Sequence, residues 1–167
     1  NYVSTLNLKI TVADSREKII KLISQVRDKS EMAHLALYVY RQMDLIDWHP
    51  FIKAAIERNP VCISELNGKS TSEVYSALSD ITEVSIYDGK RLALPDEVWN
   101  FRRGDGIEKA LLLADFIIEN DKTSTVLLEI NNKNVTLTYN GKTYHFTSGK
   151  NLRKSIQITG KEYKVAE

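Results

Sequence analysis

Residues Gly106 to Ile118 set the strongest constraint on the fold. Ile107, Ala110, Leu111, Leu112, Leu113, Ala114, Phe116, Ile117 and Ile118 make a helix there apolar almost all round. Such a helix cannot lie on a surface and must be enclosed by other elements. Every side of this segment therefore needs a partner, and a chain of 167 residues has the length to supply them. That length suits one domain or two tightly packed subdomains.

The segments around this helix change period in a fixed order. Asn1 to Val12 reads extended, with Tyr2, Leu6, Leu8, Ile10 and Val12 largely on alternate positions. Asp14 and Ser15 cap a helix whose apolar face is Ile19, Leu22, Ile23 and Val26. Ser30 and Glu31 open a second helix with a stripe at Met32, Leu35, Ala36, Val39 and Met43, and the short break between the two predicts an antiparallel pair. Pro50 suits the first turn of a third helix, which Asn59-Pro60 stops. Ser70 and Glu73 cap a helix to about Leu78, and Pro95 to Trp99 reads as a short one. Beyond the apolar helix the alternation is that of strands: Val126, Leu128 and Ile130; then Val135, Leu137 and Tyr139; then Tyr144 and Phe146 after the hairpin turn Asn140-Gly141. Ile156 and Ile158 suggest one more strand, and the tail from Lys161 is polar. Helices first and an antiparallel meander after them make an α+β fold. The expected division is an N-terminal strand and helical part over 1–85. It packs on a core over 86–167, built on a central helix at about 106–119.

Composition excludes several classes of function. Apolar residues are 43% and charged residues 27%, and the net charge is +1, so no global field draws the chain to nucleic acid or an anionic membrane. No apolar run reaches the roughly 20 residues that span a bilayer. Cys62 is the sole cysteine, so no internal disulfide can form. It sits in apolar Pro60-Val61-Cys62-Ile63, where a thiol is usually buried and inert. His34, His49 and His145 share no metal-ligand spacing, and no cofactor motif is present, so neither a metal nor a cofactor is expected. The chain starts at Asn1 without a signal-like stretch. The expected location is cytoplasmic or, after removal of an upstream signal, periplasmic or extracellular. Asn134-Val135-Thr136 is a glycosylation sequon that matters only in a eukaryotic secretory setting.

The chemistry-bearing candidates cluster at the start of the apolar helix. Arg102-Arg103-Gly104-Asp105-Gly106 is a tight turn opening into it. From Ile86 to Phe146 the chain resembles transglutaminase-like cysteine enzymes, on Tyr87, Pro95 to Trp99, Gly104-Asp105, Glu108 to Ala114 and the strands that follow. In that family a catalytic Cys follows a Gly-Asp pair and opens the central helix, whose N-terminus favours the thiolate. A His begins the second strand after the helix, and the acid lies in the next strand. The matching positions here are Gly106, Asn134 or Val135, and Thr147 in Tyr144-His145-Phe146-Thr147-Ser148. The resemblance thus implies a degenerate scaffold without its nucleophile: a non-catalytic module for a peptide, glycan or protein, within a larger bacterial protein. Trp99, Arg102, Arg103, Asp105 and His145 are the ligand-binding candidates.

Other readings stand beside it. Asp105, Glu108 and His145 could serve an enzyme as acid–base groups if they converge within hydrogen-bond reach. The glycine turn also suits an unrelated α+β domain or a structural spacer. Arg102, Arg103 and Lys109, with Lys150, Arg153 and Lys154, would flank a groove for an anionic group, or lie on a solvated face. Tyr38, Tyr40, Trp48, Tyr87 and Trp99 suit either sugar stacking or the core.

Overall fold

A computed structural model describes residues 8–167, and the chain divides into two compact units between Asp47 and Trp48. The boundary expected at 85/86 falls inside the second unit. The expected strand over 1–12 lies mostly outside the described residues. Its described part, 8–12, forms no strand: the chain turns there, with Thr11 N donating to Asp14 Oδ2 at 2.7 Å.

In the first unit, α1 is Arg16–Val26 and α2 is Glu31–Val39. Each begins where a serine can satisfy an orphan amide. Ser15 Oγ accepts from Lys18 N, and Ser30 Oγ accepts from Ala33 N, both at 3.3 Å. The expected stripe fails within α2: Ala33 and Leu37 are buried, whereas Met32, Leu35, Ala36 and Val39 are exposed; Met43, past the helix end, is buried as expected. Nearly every residue of this helix is apolar, so its sequence offers several helical faces and period alone cannot choose among them.

In the second unit, α3 (His49–Glu57), α4 (Pro60–Leu66), α5 (Thr71–Ser79) and α6 (Pro95–Phe101) precede α7 (Gly106–Asn120). Asn59-Pro60 does more than stop α3: Pro60 also opens α4, a helix the sequence pattern does not separate from α3. Ser70 and Glu73 form a reciprocal capping box on α5, as their spacing predicts. After α7 come β1 (Thr125–Tyr139), β2 (Lys142–Thr159) and β3 (Glu162–Ala166), an antiparallel sheet in the order β1-β2-β3. The fold is α+β. The separate strands expected over 125–130 and 134–139 are one long β1, and those at 143–147 and 156–158 are both β2. The polar tail supplies β3, with Val165 opposite Ile156 and Tyr163 opposite Ile158.

Residues 106–118 of α7 are all buried, and the expected enclosure is met element by element. The helices α3, α4, α5 and α6 pack on α7, and so do β1 and β2. The sheet presents the alternate residues Val126, Leu128, Ile130, Val135 and Leu137 of β1, with Ile156 and Ile158 of β2, all buried. Burying one such side chain contributes about 2 kcal/mol. Among the described residues no helix is long and apolar enough to cross a membrane.

Candidate functional site

An irregularity in the sheet builds the site. Pairing steps from Asn132↔Leu152 to Asn134↔Thr147, so Lys133 of β1 stands opposite Ser148, Gly149, Lys150 and Asn151 of β2. This wide bulge leaves the ladder, and Asn132 and Asn151 turn it with φ of 55° and 52°. Both are asparagines, the residue type after glycine that best tolerates that region. The bulge carries β2 onto the first turn of α7. Gly149 N donates to Asp105 Oδ2 at 2.7 Å, while Asp105 Oδ1 accepts from Ile107 N at 3.0 Å. Asp105 is thus both the cap of α7 and the clamp on β2.

Gly106 lies at the closest approach. A Cβ at this position would stand 2.3 Å from the carbonyl oxygen of Thr147 and 2.8 Å from its nitrogen. Only glycine admits the strand this near. The structure therefore sets the Thr147 backbone against Gly106, and Thr147 pairs across the ladder with Asn134. It leaves no space for a side chain at the helix start, because β2 backbone fills the place. Val135, the other position considered for the family's His, is 1% exposed and faces the core opposite Phe146, whereas Asn134 is exposed.

Around this contact runs a buried polar network. Glu108 is fully buried. Its Oε1 accepts from Ser85 Oγ at 2.6 Å and from Ala93 N at 2.7 Å, and its Oε2 accepts from Asp105 N at 2.8 Å. Burial raises its pKa, opposed by those three hydrogen bonds and by the Lys150 charge. Lys150 Nζ donates to Tyr87 O, and Lys109 Nζ to Ile81 O, each at 2.6 Å. Burial lowers the pKa of both lysines, and nearby carboxylates, chiefly Glu108 for Lys150 and Glu83 for Lys109, oppose that shift. The network pins the segment between α5 and α6 to α7 and to the bulge. Lys109 and Lys150 are accordingly buried and not part of a solvated charged face. A pocket of about 370 Å³ opens beside them, lined by Glu83, Ser85, Tyr87, Asp105, Gly149 and Lys150 among others.

The five ligand-binding candidates face different neighbours. Trp99 donates its Nε1–H to Glu65 Oε2 at 2.7 Å, and the Arg102 guanidinium covers its ring at 3.7 Å from the centroid. Arg102 also pairs with Glu65 at 3.5 Å, so both belong to the α4–α6 contact. Arg103 is exposed and bridges to Thr82 through the backbone. Asp105 is buried in the network. His145 is exposed, and its carbonyl accepts from Tyr75 Oη at 2.9 Å. Among the described residues no hydrogen bond or ion pair joins the His145 ring to Asp105 or Glu108, the other members of the acid–base trio. Cys62 is fully buried, and burial, followed by Asp96 and Asp115, raises its thiol pKa.

One residue escaped the sequence reading. Asp115 is 2% exposed on α7, and its Oδ2 has no hydrogen-bond partner. Burial pushes its pKa up to about 8, with the Glu119 charge adding to the shift and Asn59 opposing it. The available signal was a carboxylate set inside an otherwise apolar run. It lines a second pocket, of about 430 Å³, together with Glu57, Asn59 and Glu119.

No protein-family model, curated protein or solved structure matches the chain.

Proposed function

We propose that this chain is a non-catalytic, transglutaminase-like binding module for a peptide or protein partner. The observation that carries the reading is the contact between Gly106 and the Thr147 backbone, 2.3 Å from where a Cβ would be. A thiol at the helix start is absent and could not be seated there without moving β2. Nearby polar groups are committed to structure: Glu108 accepts three hydrogen bonds, and Asp105 holds the bulge. The one thiol, on Cys62, is buried and disfavoured as a thiolate. Support for a partner comes from β1, whose outer edge carries no paired strand among the described residues over 15 residues. An edge of that length is suited to adding an extended segment of another chain.

Two measurements test the reading. Incubation with an amine donor, a glutamine substrate and a thiol-reactive probe should give no turnover and no labelling of the folded chain. Turnover that vanishes on Cys62→Ser would refute the loss of chemistry. Panning a displayed peptide library on the immobilised chain should recover extended peptides whose amide protons gain exchange protection together with those of β1. Protection confined to any other element would refute the edge as the binding surface.

A further inference from the structure

We propose that the pocket between α3, α4 and α7 binds an organic cation, a primary ammonium on a short aliphatic chain. Three carboxylates from two helices line it: Glu57 of α3, and Asp115 and Glu119 of α7. Asp115 is 2% exposed and its Oδ2 is without a partner, which is a costly arrangement for a group that can accept several hydrogen bonds. The other two are only partly occupied by the protein. Glu57 accepts from Tyr163 Oη at 2.6 Å, and Glu119 pairs with the exposed Lys122 at 3.6 Å. Among the described residues no salt bridge reaches Glu57 or Asp115, so the pocket holds more negative than positive charge.

The shape selects the kind of cation. Among the described residues no three carboxylate, imidazole or thiol groups converge closely enough to hold a metal ion. Ile56 and Ile63 supply apolar wall beside the carboxylates. A volume of about 430 Å³ accommodates several methylenes with an ammonium at one end. The ammonium would donate to Asp115 Oδ2, and the methylenes would lie on the isoleucines. Asn59 cannot replace Asp115 as the acceptor. Its Oδ1 already accepts from Asp96 N, and its amide donates to the carbonyls of Ala54 and Ala55. The site is separate from the Gly106–Thr147 contact, and the inference does not depend on the function proposed above.

Isothermal calorimetry on the full chain at pH 9 tests this, with 1,5-diaminopentane and Nα-acetyl-lysine amide as probes. The expected result is saturable binding of at least one probe, weakened at least tenfold by Asp115→Asn and measurably by Glu119→Gln. Glu129→Gln on the exposed side of β1 should leave it unchanged. Binding of both probes would point to a lysine side chain of a protein as the natural occupant, and binding of the diamine alone to a free polyamine. Equal affinity in Asp115→Asn, the same heat from 1,5-pentanediol, or displacement of the amine by millimolar magnesium would each overturn the proposal.

Discussion

Replacing Asp115 with asparagine should make the protein more stable, and by an amount that depends on pH. The carboxyl is 2% exposed, with an unpartnered Oδ2, and its pKa is pushed from 3.8 up to about 8. In the unfolded chain the same group ionises near its ordinary value. Between these two pH values the folded state keeps a proton that the unfolded state has released, so unfolding releases a proton. Rising pH then favours unfolding, by about 1.4 kcal/mol per pH unit for one full proton. Integrated from 3.8 to about 8, the loss is about 5 kcal/mol, comparable with the whole stability of many domains. Glu119 and Asp96 face the group with like charge, Asn59 assists the ionised form, and Cys62 and Tyr163 are raised partly by its presence. The amide is nearly isosteric and does not ionise. At pH 4 the two proteins should be within about 1 kcal/mol, and by pH 8 the variant should lead by several kcal/mol. Urea denaturation at constant ionic strength, followed by tryptophan fluorescence, measures this. Trp48 and Trp99 both belong to the unit that contains α7. A stability difference that stays constant from pH 4 to 8 would refute the reasoning, because it would mean that Asp115 is ionised and partnered in the folded protein.

Other substitutions probe the elements around α7. Gly106→Ala places a methyl 2.3 Å from the Thr147 oxygen and should cost about 3 kcal/mol in urea denaturation; near-neutral stability would show that β2 does not close over the helix start. Glu108→Ala strands the Ala93 and Asp105 amides and the Ser85 hydroxyl, with an expected loss of about 3 kcal/mol and faster amide exchange at residues 93 and 105. Leu113→Asp buries an unpaired carboxylate at a fully enclosed position and should abolish the cooperative melt; a melting temperature within a degree or two of wild type would remove α7 from the centre of the fold.

Much of the second unit was legible because its signals are local. Ser70 with Glu73 caps its helix through side chains three residues away, so spacing alone suffices. Asn140-Gly141 forms the hairpin with φ of 47° and 73°, again a property of two adjacent residues. The apolar run of α7 declared its own burial. At the site, Gly106, Asn134 and Thr147 were named from a resemblance; the structure shows the Thr147 backbone against Gly106 and Thr147 paired with Asn134. What could not be read required knowing which surfaces meet. The face of α2 depends on neighbours, since a helix apolar on several sides fits more than one packing. The strand expected near the N-terminus has alternation over its described residues but no ladder there, and alternation without a partner gives no strand. Lys109 and Lys150 look like surface charges in sequence, and each is buried because a backbone carbonyl, of Ile81 or Tyr87, comes from elsewhere in the chain to meet it. The bulge at Ser148–Asn151 is visible only in the register between two strands. Sequence thus determined where α3, α5 and α6 begin and that α7 must be enclosed, because capping and periodicity act over a few residues. Tertiary structure alone decided that β2 fills the space above Gly106 and that Asp115 Oδ2 is left without a partner, because hydrogen-bond satisfaction and burial depend on atoms distant in the chain.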